Sequence, residues 1–440
     1  MSATELIDPV QNLSNADCLR VCRDIAWCEI AEMPGLRAQL GTRINAAVPY
    51  KPVNQNVLTQ AASQIDGQTD SQLEHASRLR WDKDPLLLDS LARLQLATVA
   101  ATWCNAFETG HEDLFIAKRS VAQWVGVMQQ VLALGTGFLT FSTSGSTGTR
   151  KHVRHPSAVL WAEAHAWVSV LGNAIPVRRL IVLCPTHHLY GFIWGVLLPQ
   201  VLGVPVVDAD LASLPPLTSG DLVVAVPDQW SWLAESSRHW PAGVQGISST
   251  APLPAAVHQA LVAPAAPRLA RLFQIYGATE TAGLAYRTDP AAPYRLAPPC
   301  SRSTSGSIAR RLPNGVLVCL DVQDTLAWVT DADADAGFHI QQRKDHSVQV
   351  GGHNVSPAWV AAQLRLHPDV REASVRLNTQ TLPPRLKAFV VFKALSSSAH
   401  RLAFEQWTAE QLPWYAHFSS ITYGEEVPVN VLGKPSDWPE

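Results

Sequence analysis

The stretch Ser142-Thr143-Ser144-Gly145-Ser146-Thr147-Gly148-Thr149-Arg150-Lys151 is a run of hydroxyls and glycines that ends in a lysine. It directly follows Gly137-Phe138-Leu139-Thr140-Phe141, which has the composition of a strand. Glycines allow successive backbone N–H groups to point at an anion, hydroxyls add donors, and the lysine supplies compact positive charge. The stretch therefore predicts a phosphate-binding loop.

Two other phosphate or nucleophile motifs do not fit this stretch. The Walker pattern needs four residues between its glycine and its Gly-Lys pair, which disfavours a P-loop kinase or GTPase. No Gly-x-Ser-x-Gly surrounds Ser144 or Ser146, so the stretch is not a nucleophile elbow. A flexible Ser/Gly linker is the remaining alternative, and linkers rarely lie between a strand and a Lys-containing strand start.

From residue 137 onward, short β-branched runs alternate with helical stretches. This alternation predicts an α/β body with largely parallel sheets. The phosphate loop and the segments around His188 and Tyr276 follow strands, which is where open α/β sheets place ligands. The predicted strands are 137–143, 179–184, 204–207, 221–226, 244–249 and 271–275, and the predicted helices are 156–172, 189–202, 227–235 and 254–262.

The pattern changes toward the C-terminus. Residues 301–331 form a set of short strands, and a fresh ββαβ-like pattern begins after Arg343, with a helix opened by Pro357. A chain of 440 residues is too long for one ordinary core, so a boundary is expected at 343–345. Residues 45–72 are rich in Asn, Gln, Ser and Thr and predict a surface loop.

The composition excludes several classes of protein. The chain is 47% hydrophobic and 16% charged, which excludes a disordered chain, and its net charge of −3 gives no support for non-specific nucleic-acid binding. The seven cysteines are an odd number and predict reduced thiols; helical spacing of Cys18, Cys22 and Cys28 favours buried thiols over a metal site.

The N-terminus resembles no secretory signal, so a cytoplasmic location is expected. The uncharged stretch 189–207 contains two prolines and predicts a buried helix and strand.

Five further motifs follow the loop in a fixed order. The chain resembles the adenylate-forming enzymes, which include acyl- and aryl-CoA ligases, peptide-synthetase adenylation domains and luciferases, over about residues 135 to 435. The resemblance implies a large N-terminal α/β body (1–342) and a small mobile α+β C-terminal domain (343–440). The motifs are Pro185-Thr186-His187-His188-Leu189-Tyr190-Gly191, Ser249-Thr250-Ala251-Pro252-Leu253, Tyr276-Gly277-Ala278-Thr279-Glu280-Thr281, Arg343-Lys344-Asp345 with the following Gly351-Gly352, and Gly433-Lys434.

The resemblance also implies where ATP binds. The stretch from Thr143 to Gly148, with Lys151, would hold the β- and γ-phosphates. Thr279 would reach a phosphate oxygen, and Glu280 would hold Mg²⁺. Ser249, Thr250 and Ala251 would line the base pocket, and Tyr276, beside Gly277, would stack on adenine.

The ribose residues depart from the family pattern. Family members carry an aspartate within Thr-Gly-Asp, whereas this chain has Thr330-Asp331 followed by two more alternating acids. The resemblance assigns the ribose to Asp331, with Asp333 as the alternative. Arg343 would bridge the ribose, and Asp345 would be the pivot of the small domain.

Three further assignments concern the acid and the thiol. Lys434 corresponds to the adenylation lysine, whose charge stabilises the departing pyrophosphate. His188 would lie between the carboxylate and the access path of a thiol. Family geometry would place Trp194, Ile275 and Leu284 near the acyl pocket, and such an aromatic-lined slot suits a planar acid.

The shortened chain most resembles ligases that load hydroxybenzoate-type acids onto an acyl carrier protein in aryl-polyene and xanthomonadin-like pigment pathways. The expected reaction consumes ATP, releases AMP and transfers the acyl group to a phosphopantetheine thiol. An excess of basic residues over 365–401 fits an acidic carrier protein and equally suits CoA phosphates. A free aryl- or acyl-CoA ligase and a non-catalytic adenylate-binding homologue are the alternatives.

Overall fold

The fold is taken from a computed structural model of the chain. The structure describes residues 9–32, 80–81, 88–143, 150–172, 174–212, 214–236, 238, 240–263, 268–329, 337–345, 347–351, 353–381, 384–394, 397–428 and 436–438. The surface loop predicted at 45–72 lies outside these ranges.

Helices of the N-terminal part pack against each other around an apolar core. Trp124 lies in that core against Trp81, with ring centroids 4.8 Å apart. Two of the helices begin with side-chain caps, because Asp89 accepts from the backbone N–H of Ala92 and Ser120 accepts from that of Gln123. The helices are α1 (Asn15–Glu32), α2 (Ser90–Trp103), α3 (Ala106–Thr109), α4 (Glu112–Ala117) and α5 (Val121–Ala133), preceded by a 3₁₀ turn at Pro9–Asn12.

The predicted phosphate loop joins the two strands of a hairpin. Strand β1 (Phe138–Thr143) pairs antiparallel with β2 (Lys151–Pro156), and Thr143 lies opposite Lys151. The sequence placed a strand before the loop and a strand start at Lys151, and both are confirmed. Ser144 to Thr149, the loop itself, lie outside the described residues.

A seven-stranded sheet forms the centre of the N-terminal body, in the order β4-β3-β5-β6-β7-β8-β9. The pairings from β4 through β7 are parallel, and β8 and β9 add antiparallel strands at one edge. Central strand β5 is buried throughout. The strands are β3 (Arg179–Val182), β4 (Val206–Asp208), β5 (Asp221–Ala225), β6 (Gln245–Ser248), β7 (Arg271–Ala278), β8 (Ala282–Arg287) and β9 (Arg295–Leu296).

The predicted strands are confirmed, with one correction. Strand β7 continues to Ala278 instead of ending near Ile275. The Tyr276 segment is therefore part of the strand and does not follow it as a loop. Strand β8 holds it there by antiparallel pairing of Tyr276 with Ala285.

Helices connect the parallel strands as the sequence predicts. The predicted helix 189–202 differs, because a π-helical turn at Ile193–Leu197 interrupts it. Gly195 lies in that turn, and a Cβ there would come 3.1 Å from the Val182 side chain, so a glycine permits close packing on β3. The helices are α6 (Ser157–Leu171), α7 (Leu189–Phe192), α8 (Leu198–Leu202), α9 (Pro227–Glu235) and α10 (Ala255–Val262).

Small antiparallel sheets follow the main sheet. Strands β10, β11 and β12 form one, and the pair β13 and β14 forms another in which Asp324 lies opposite Arg343. This pair ends at the boundary that the sequence predicts. The strands are β10 (Cys300–Arg302), β11 (Ile308–Arg311), β12 (Leu317–Cys319), β13 (Asp324–Trp328) and β14 (Phe338–Arg343).

The chain beyond Asp345 builds a hydrophobic core of its own, which includes Val350, Leu364 and Phe404. This second core fits the predicted boundary; the division into a body and a mobile domain stays a prediction. None of the helices in the described ranges has the length and apolarity that a membrane crossing requires. The elements are β15 (Val348–Val350), β16 (His353–Val355), α11 (Pro357–Leu364), β17 (Val370–Asn378), β18 (Arg385–Phe392), α12 (Ser398–Gln411), a 3₁₀ turn at Trp414–Ala416 and β19 (Phe418–Tyr423).

Candidate functional site

The phosphate hairpin lies against the turn between β7 and β8. The His155 Nε2 atom in β2 is 2.6 Å from the carbonyl oxygen of Thr279, which makes Nε2 the donor. Burial lowers the pKa of His155, so the ring is neutral near pH 7. The contact brings together two motifs that are more than 120 residues apart.

Glu280 lies exposed in the same turn. The Thr281 hydroxyl fixes the turn by accepting from the backbone N–H of Ala278 at 3.1 Å. An exposed carboxylate beside an expected polyphosphate is the ligand type that Mg²⁺ prefers, so Glu280 fits the predicted metal role. Lys151 is also exposed, at the first position of β2.

The Ser249-Thr250-Ala251 segment follows β6 and carries backbone strain. Thr250 has φ of 78°, which is unusual for a β-branched residue. Its hydroxyl oxygen is buried and has no hydrogen-bond partner, whereas the Ser249 hydroxyl donates to the carbonyl of Ile275. Strain together with an unpartnered buried polar atom is typical of a ligand site. The segment therefore fits the predicted base pocket.

Tyr276 lies at the centre of a polar cluster that the sequence analysis only partly anticipated. Its ring is buried against Tyr294 and Phe338, and its hydroxyl donates to Asp324 Oδ2 at 2.7 Å. Gly277 follows it, where a Cβ would collide with the carbonyl oxygen of Ala282 in the neighbouring strand. The stacking of Tyr276 on adenine stays a prediction.

Arg343 and Asp345 form a two-point ion pair at the end of β14. The guanidinium donates to both carboxylate oxygens of Asp345, at 3.0 and 3.1 Å. Burial opposes the charge of Arg343, but hydrogen bonding to Asp345 and the charges of Asp345, Asp324 and Glu280 raise its pKa above the ordinary value. Hydrogen bonding to Arg343 lowers the pKa of Asp345, which also accepts from Ser347. One cation therefore links three carboxylates of this site.

Asp324 is a candidate site residue that the sequence analysis did not name. It lies directly across the strand pair from Arg343 and accepts from Tyr276. The predicted ribose ligand, Asp331, and its alternative, Asp333, both lie outside the described residues. The signal for Asp324 was its place at the start of the strand that pairs with the Arg343 strand, and the more conspicuous acidic run at 331–335 obscured it.

The His188 segment is held by the first helix. Asp24 accepts from both the backbone N–H and the hydroxyl of Thr186, each at 2.7 Å, and the indole N–H of Trp103 donates to the carbonyl of His187. The His188 side chain is exposed to solvent although many protein atoms surround the ring. Burial and the neighbouring Arg150 lower its pKa to about 4.

Arg150 stands where the phosphate loop returns and pairs with Glu29 of α1 at 2.5 Å. His353, which stacks on Tyr415 in the C-terminal part, has its pKa lowered to about 3 by burial and by His188 and Arg150. His188, Arg150 and His353, from three distant parts of the sequence, therefore lie close enough to influence one another electrostatically.

The predicted acyl-pocket residues divide between two clusters. Trp194 and Ile275 belong to the large buried cluster of the N-terminal body, where Trp194 packs on Trp167 with centroids 5.2 Å apart. Leu284 packs in a different cluster, with Tyr276 and Phe338. Trp194 and Ile275 thus share one buried cluster and Leu284 belongs to another, and the assignment of all three to the acyl pocket stays a prediction.

Lys434 lies outside the described residues, but the chain on both sides of it is held. The backbone N–H of Ser436 donates to the carbonyl of Pro428 at 2.9 Å. Trp438 is buried, and Lys387 donates to its carbonyl at 2.7 Å and pairs with Asp437 at 3.0 Å. The described residues on both sides of Lys434 are therefore anchored by hydrogen bonds.

Several basic residues between 365 and 401 are engaged within the protein. Lys387 is buried, Lys393 donates to the carbonyl of Pro368, and Arg371 donates to that of Glu425. Arg401 lies over the ring of Tyr423. The basic excess in the sequence is thus not a set of cations that all point to solvent for an acidic partner.

All seven cysteines are described, and none forms a disulfide. Cys18 and Cys22 are buried on α1, as predicted, and burial raises the pKa of both thiols. Cys28 is only half-buried.

Comparison with known proteins agrees with this geometry. Residues 128–326 match the sequence family described as AMP-binding enzyme. A 4-coumarate–CoA ligase of Halorhodospira halophila is 36% identical over 360 residues, covering 81% of this chain and 89% of the relative. A second 4-coumarate–CoA ligase, of Cereibacter sphaeroides, is 35% identical over 369 residues, covering 81% and 85%. The structure of an amide bond synthetase from Marinactinospora thermotolerans covers 68% of each chain with a TM-score of 0.55 at 23% identity, a likeness of fold.

Proposed function

Because this chain belongs to the AMP-binding, adenylate-forming ligases, we propose that it activates a small aromatic carboxylic acid with ATP and transfers the acyl group to the thiol of free CoA. The observation that carries the proposal is the polar cluster of Tyr276, Asp324, Arg343 and Asp345 beside the Thr279-Glu280 turn. Such a cluster offers acceptors for ribose hydroxyls and a cation for a nucleotide.

The nucleotide would lie between the phosphate hairpin and this cluster. Asp324 is the carboxylate that best fits the ribose hydroxyls, since it accepts from the Tyr276 hydroxyl and lies directly across the strand pair from Arg343. Lys151 and the loop before it would bind the phosphates, and the segment after β6 would enclose the base. Mg²⁺, held at Glu280, would offset the phosphate charge.

Two anions must approach each other before an adenylate can form, so cations decide the rate of the first step. Lys434 is the candidate for the charge that develops as pyrophosphate leaves. In the second step a thiol must reach the acyl carbonyl past His188, whose lowered pKa leaves a neutral imidazole that does not hold the nucleotide anion. Rotation of the C-terminal part about Asp345 would separate the two steps.

The acid is aromatic in this proposal. The residues around Trp194 are large and apolar, and planar ring systems suit such a site. The relatives are named for 4-coumarate, a hydroxylated aromatic acid like the hydroxybenzoate that the sequence predicts. We take 4-coumarate-type and hydroxybenzoate-type acids as the first substrates to compare.

Free CoA ranks above a carrier protein as acceptor. The named relatives are CoA ligases, and the basic residues that suggested a carrier protein are partly engaged internally. Transfer to a carrier protein in a pigment pathway has no support beyond the sequence resemblance. It becomes the alternative outcome of the test.

The test is an acid panel followed by an acceptor comparison. ATP–pyrophosphate exchange is measured with 4-coumarate, 3- and 4-hydroxybenzoate and a medium-chain fatty acid, and the best acid is then offered to CoA or to a holo-carrier protein. We expect exchange with an aromatic acid and faster thioester formation with CoA, detected by mass spectrometry. Exchange with the fatty acid alone rejects the aromatic assignment, and faster loading of the carrier protein reverses the acceptor ranking.

A further inference from the structure

A thiol and two imidazoles meet beside the predicted thiol path. One potential ligand atom from each of Cys28, His187 and His188 lies within 4.8 Å of the other two. Cys28 comes from α1, whereas the two histidines are adjacent in the segment before α7. The three residues therefore meet only in the folded chain.

Helix α1 holds this arrangement in place. Asp24 anchors Thr186, the residue before the two histidines, with two hydrogen bonds. Cys28 lies four residues after Asp24 and so projects from the same face of the helix. The same helix that fixes the histidine segment thus presents the thiol to it.

His187 supplies a second, independent observation. Its side chain is only 8% exposed, and its Nδ1 atom is buried with no hydrogen-bond partner. Leaving a buried polar atom unpartnered costs roughly 1–3 kcal/mol, so such atoms in native proteins usually have a function or a ligand. The rings of His187 and His188 have centroids 4.0 Å apart, which places two imidazoles side by side.

We propose that Cys28, His187 and His188 form a Zn²⁺ site with three protein ligands and one open position. A set of one sulfur and two imidazole nitrogens, without a carboxylate, suits Zn²⁺ and does not suit Mg²⁺ or Ca²⁺. In a tetrahedral zinc site the donor atoms lie roughly 3.3–3.6 Å apart, so small side-chain rotations close the present spacing.

The surrounding charges permit a cation here. Arg150 is the nearby positive group that opposes metal binding, and Glu29 neutralises it through their ion pair. The negative charge of Asp24 also acts on His188. Coordination converts the Cys28 thiol to a thiolate and releases its proton to solvent.

We expect Zn²⁺ at this site to affect the second half-reaction. This consequence rests on the proposed function. Zn²⁺ would take up the nitrogen of His188 beside the route of the acceptor thiol, and its open position would bind a passing thiol. Thioester formation would slow, whereas adenylate formation would not. The metal would therefore act as an inhibitor of transfer.

The binding test needs no activity. The metal-free full-length protein is titrated with Co²⁺, whose thiolate charge-transfer and visible d–d absorption report sulfur ligation and tetrahedral geometry, and Zn²⁺ is then added to displace it. The variants are Cys28→Ser and His187→Gln, and the matched control is Cys319→Ser, which removes an exposed cysteine of β12. Circular dichroism checks that each variant is folded.

We expect one equivalent of Co²⁺ to give the thiolate band in the wild type and in Cys319→Ser, and to give none in Cys28→Ser. His187→Gln should weaken binding by at least about tenfold. Absence of the band in the wild type, or its survival in Cys28→Ser, overturns the site.

A second arm measures the rates with and without one equivalent of Zn²⁺. We expect the metal to lower thioester formation in the wild type but less in Cys28→Ser, with exchange unchanged in both. Equal inhibition of both half-reactions overturns the proposed consequence. The cobalt spectrum requires no substrate. It therefore tests the metal site independently of the proposed ligase activity.

Discussion

The nucleotide side and the thiol side of the site handle charge in opposite ways. On the nucleotide side, hydrogen bonding to Asp345 and the negative charges of Asp345, Asp324 and Glu280 raise the pKa of Arg343. On the thiol side, burial drives the pKa of His188 to about 4 and that of His353 to about 3. The pKa of the arginine on the nucleotide side is raised by neighbouring carboxylates, whereas burial and nearby positive groups lower the pKa values of the two histidines on the thiol side.

This difference suits the chemical groups that each side of the site is expected to bind. A nucleotide brings anions and hydroxyls that need fixed charges and acceptors. In the thioester-forming step a thiol must reach the acyl carbonyl. A fixed cation beside its path would bind the phosphates of the ground state more tightly than it would stabilise the transition state. Charges on the nucleotide side and on Lys434 should therefore govern adenylation alone.

The largest expected effect is that of Lys434→Ala. Removing one electrostatic contact to a developing charge typically costs about 10²–10³ in rate. We expect acid-dependent pyrophosphate exchange to fall by that factor, while transfer from a supplied acyl-adenylate to CoA stays near the wild-type rate. Equal loss of both half-reactions in a folded variant would show that the two sides are not separated in this way.

The second effect distinguishes Asp324 from Asp331. Asp324→Asn removes the carboxylate that faces Arg343 and Tyr276, and hydrogen bonds to charged groups are worth about 1.5–3 kcal/mol, or about 10–100-fold. We expect the KM for ATP to rise by that factor in exchange assays.

Asp331→Asn is the matched control for this substitution. It should change the KM for ATP by less than about twofold, because its assignment rested on a sequence pattern alone. A larger effect of Asp331→Asn than of Asp324→Asn would return the ribose to the residue that the sequence analysis assigned.

A smaller effect is expected for Tyr276→Phe. The substitution keeps the buried ring and removes the hydroxyl that donates to Asp324. Because a typical hydrogen bond contributes about 1 kcal/mol net, the KM for ATP should rise about fivefold. In the Asp324→Asn background the same substitution should add little, and a fully additive double variant would contradict their coupling.

The smallest expected effect concerns pH and His155. Its folded-state pKa lies below that of the unfolded chain, so the unfolded state binds more protons. The stability contribution is present above about pH 6.5, the ordinary value, and decreases as the pH falls below it. We expect the free energy of unfolding in urea to fall from pH 7 to pH 5, and less steeply in His155→Gln. An identical slope in both proteins would exclude His155 as a contributor.

Much of the fold could be predicted because its signals are local. Apolar runs such as 221–226 and prolines that open helices at Pro227 and Pro357 mark elements wherever they occur. The expected α/β adenylate-forming fold is confirmed by the sheet order and by the likeness to a solved structure. Strand β7 was predicted too short because its end is set by pairing with β8, a contact that a local pattern does not contain.

The site was predicted in part for the same reason. Glu280, Arg343 and His188 were assigned to the candidate site through short motifs, and those roles stay predictions, whereas Asp324 belongs to no motif and gains its place from the register of β13 against β14. The resemblance placed Leu284 and Trp194 near one pocket, which stays a prediction; only the structure shows that the two side chains pack in different clusters.

By itself, the sequence determined the chemistry that is available: a glycine- and hydroxyl-rich phosphate loop, ordered motifs of an adenylate-forming ligase, and strands and helices with their periodicities. The tertiary structure decided which groups meet: Asp324 with Tyr276 and Arg343, His155 with Thr279, and Cys28 with His187 and His188. The physical reason is that residue type and local periodicity are properties of neighbours along the chain. Proximity, burial and the pKa values that follow from them depend on strand register and packing between distant segments.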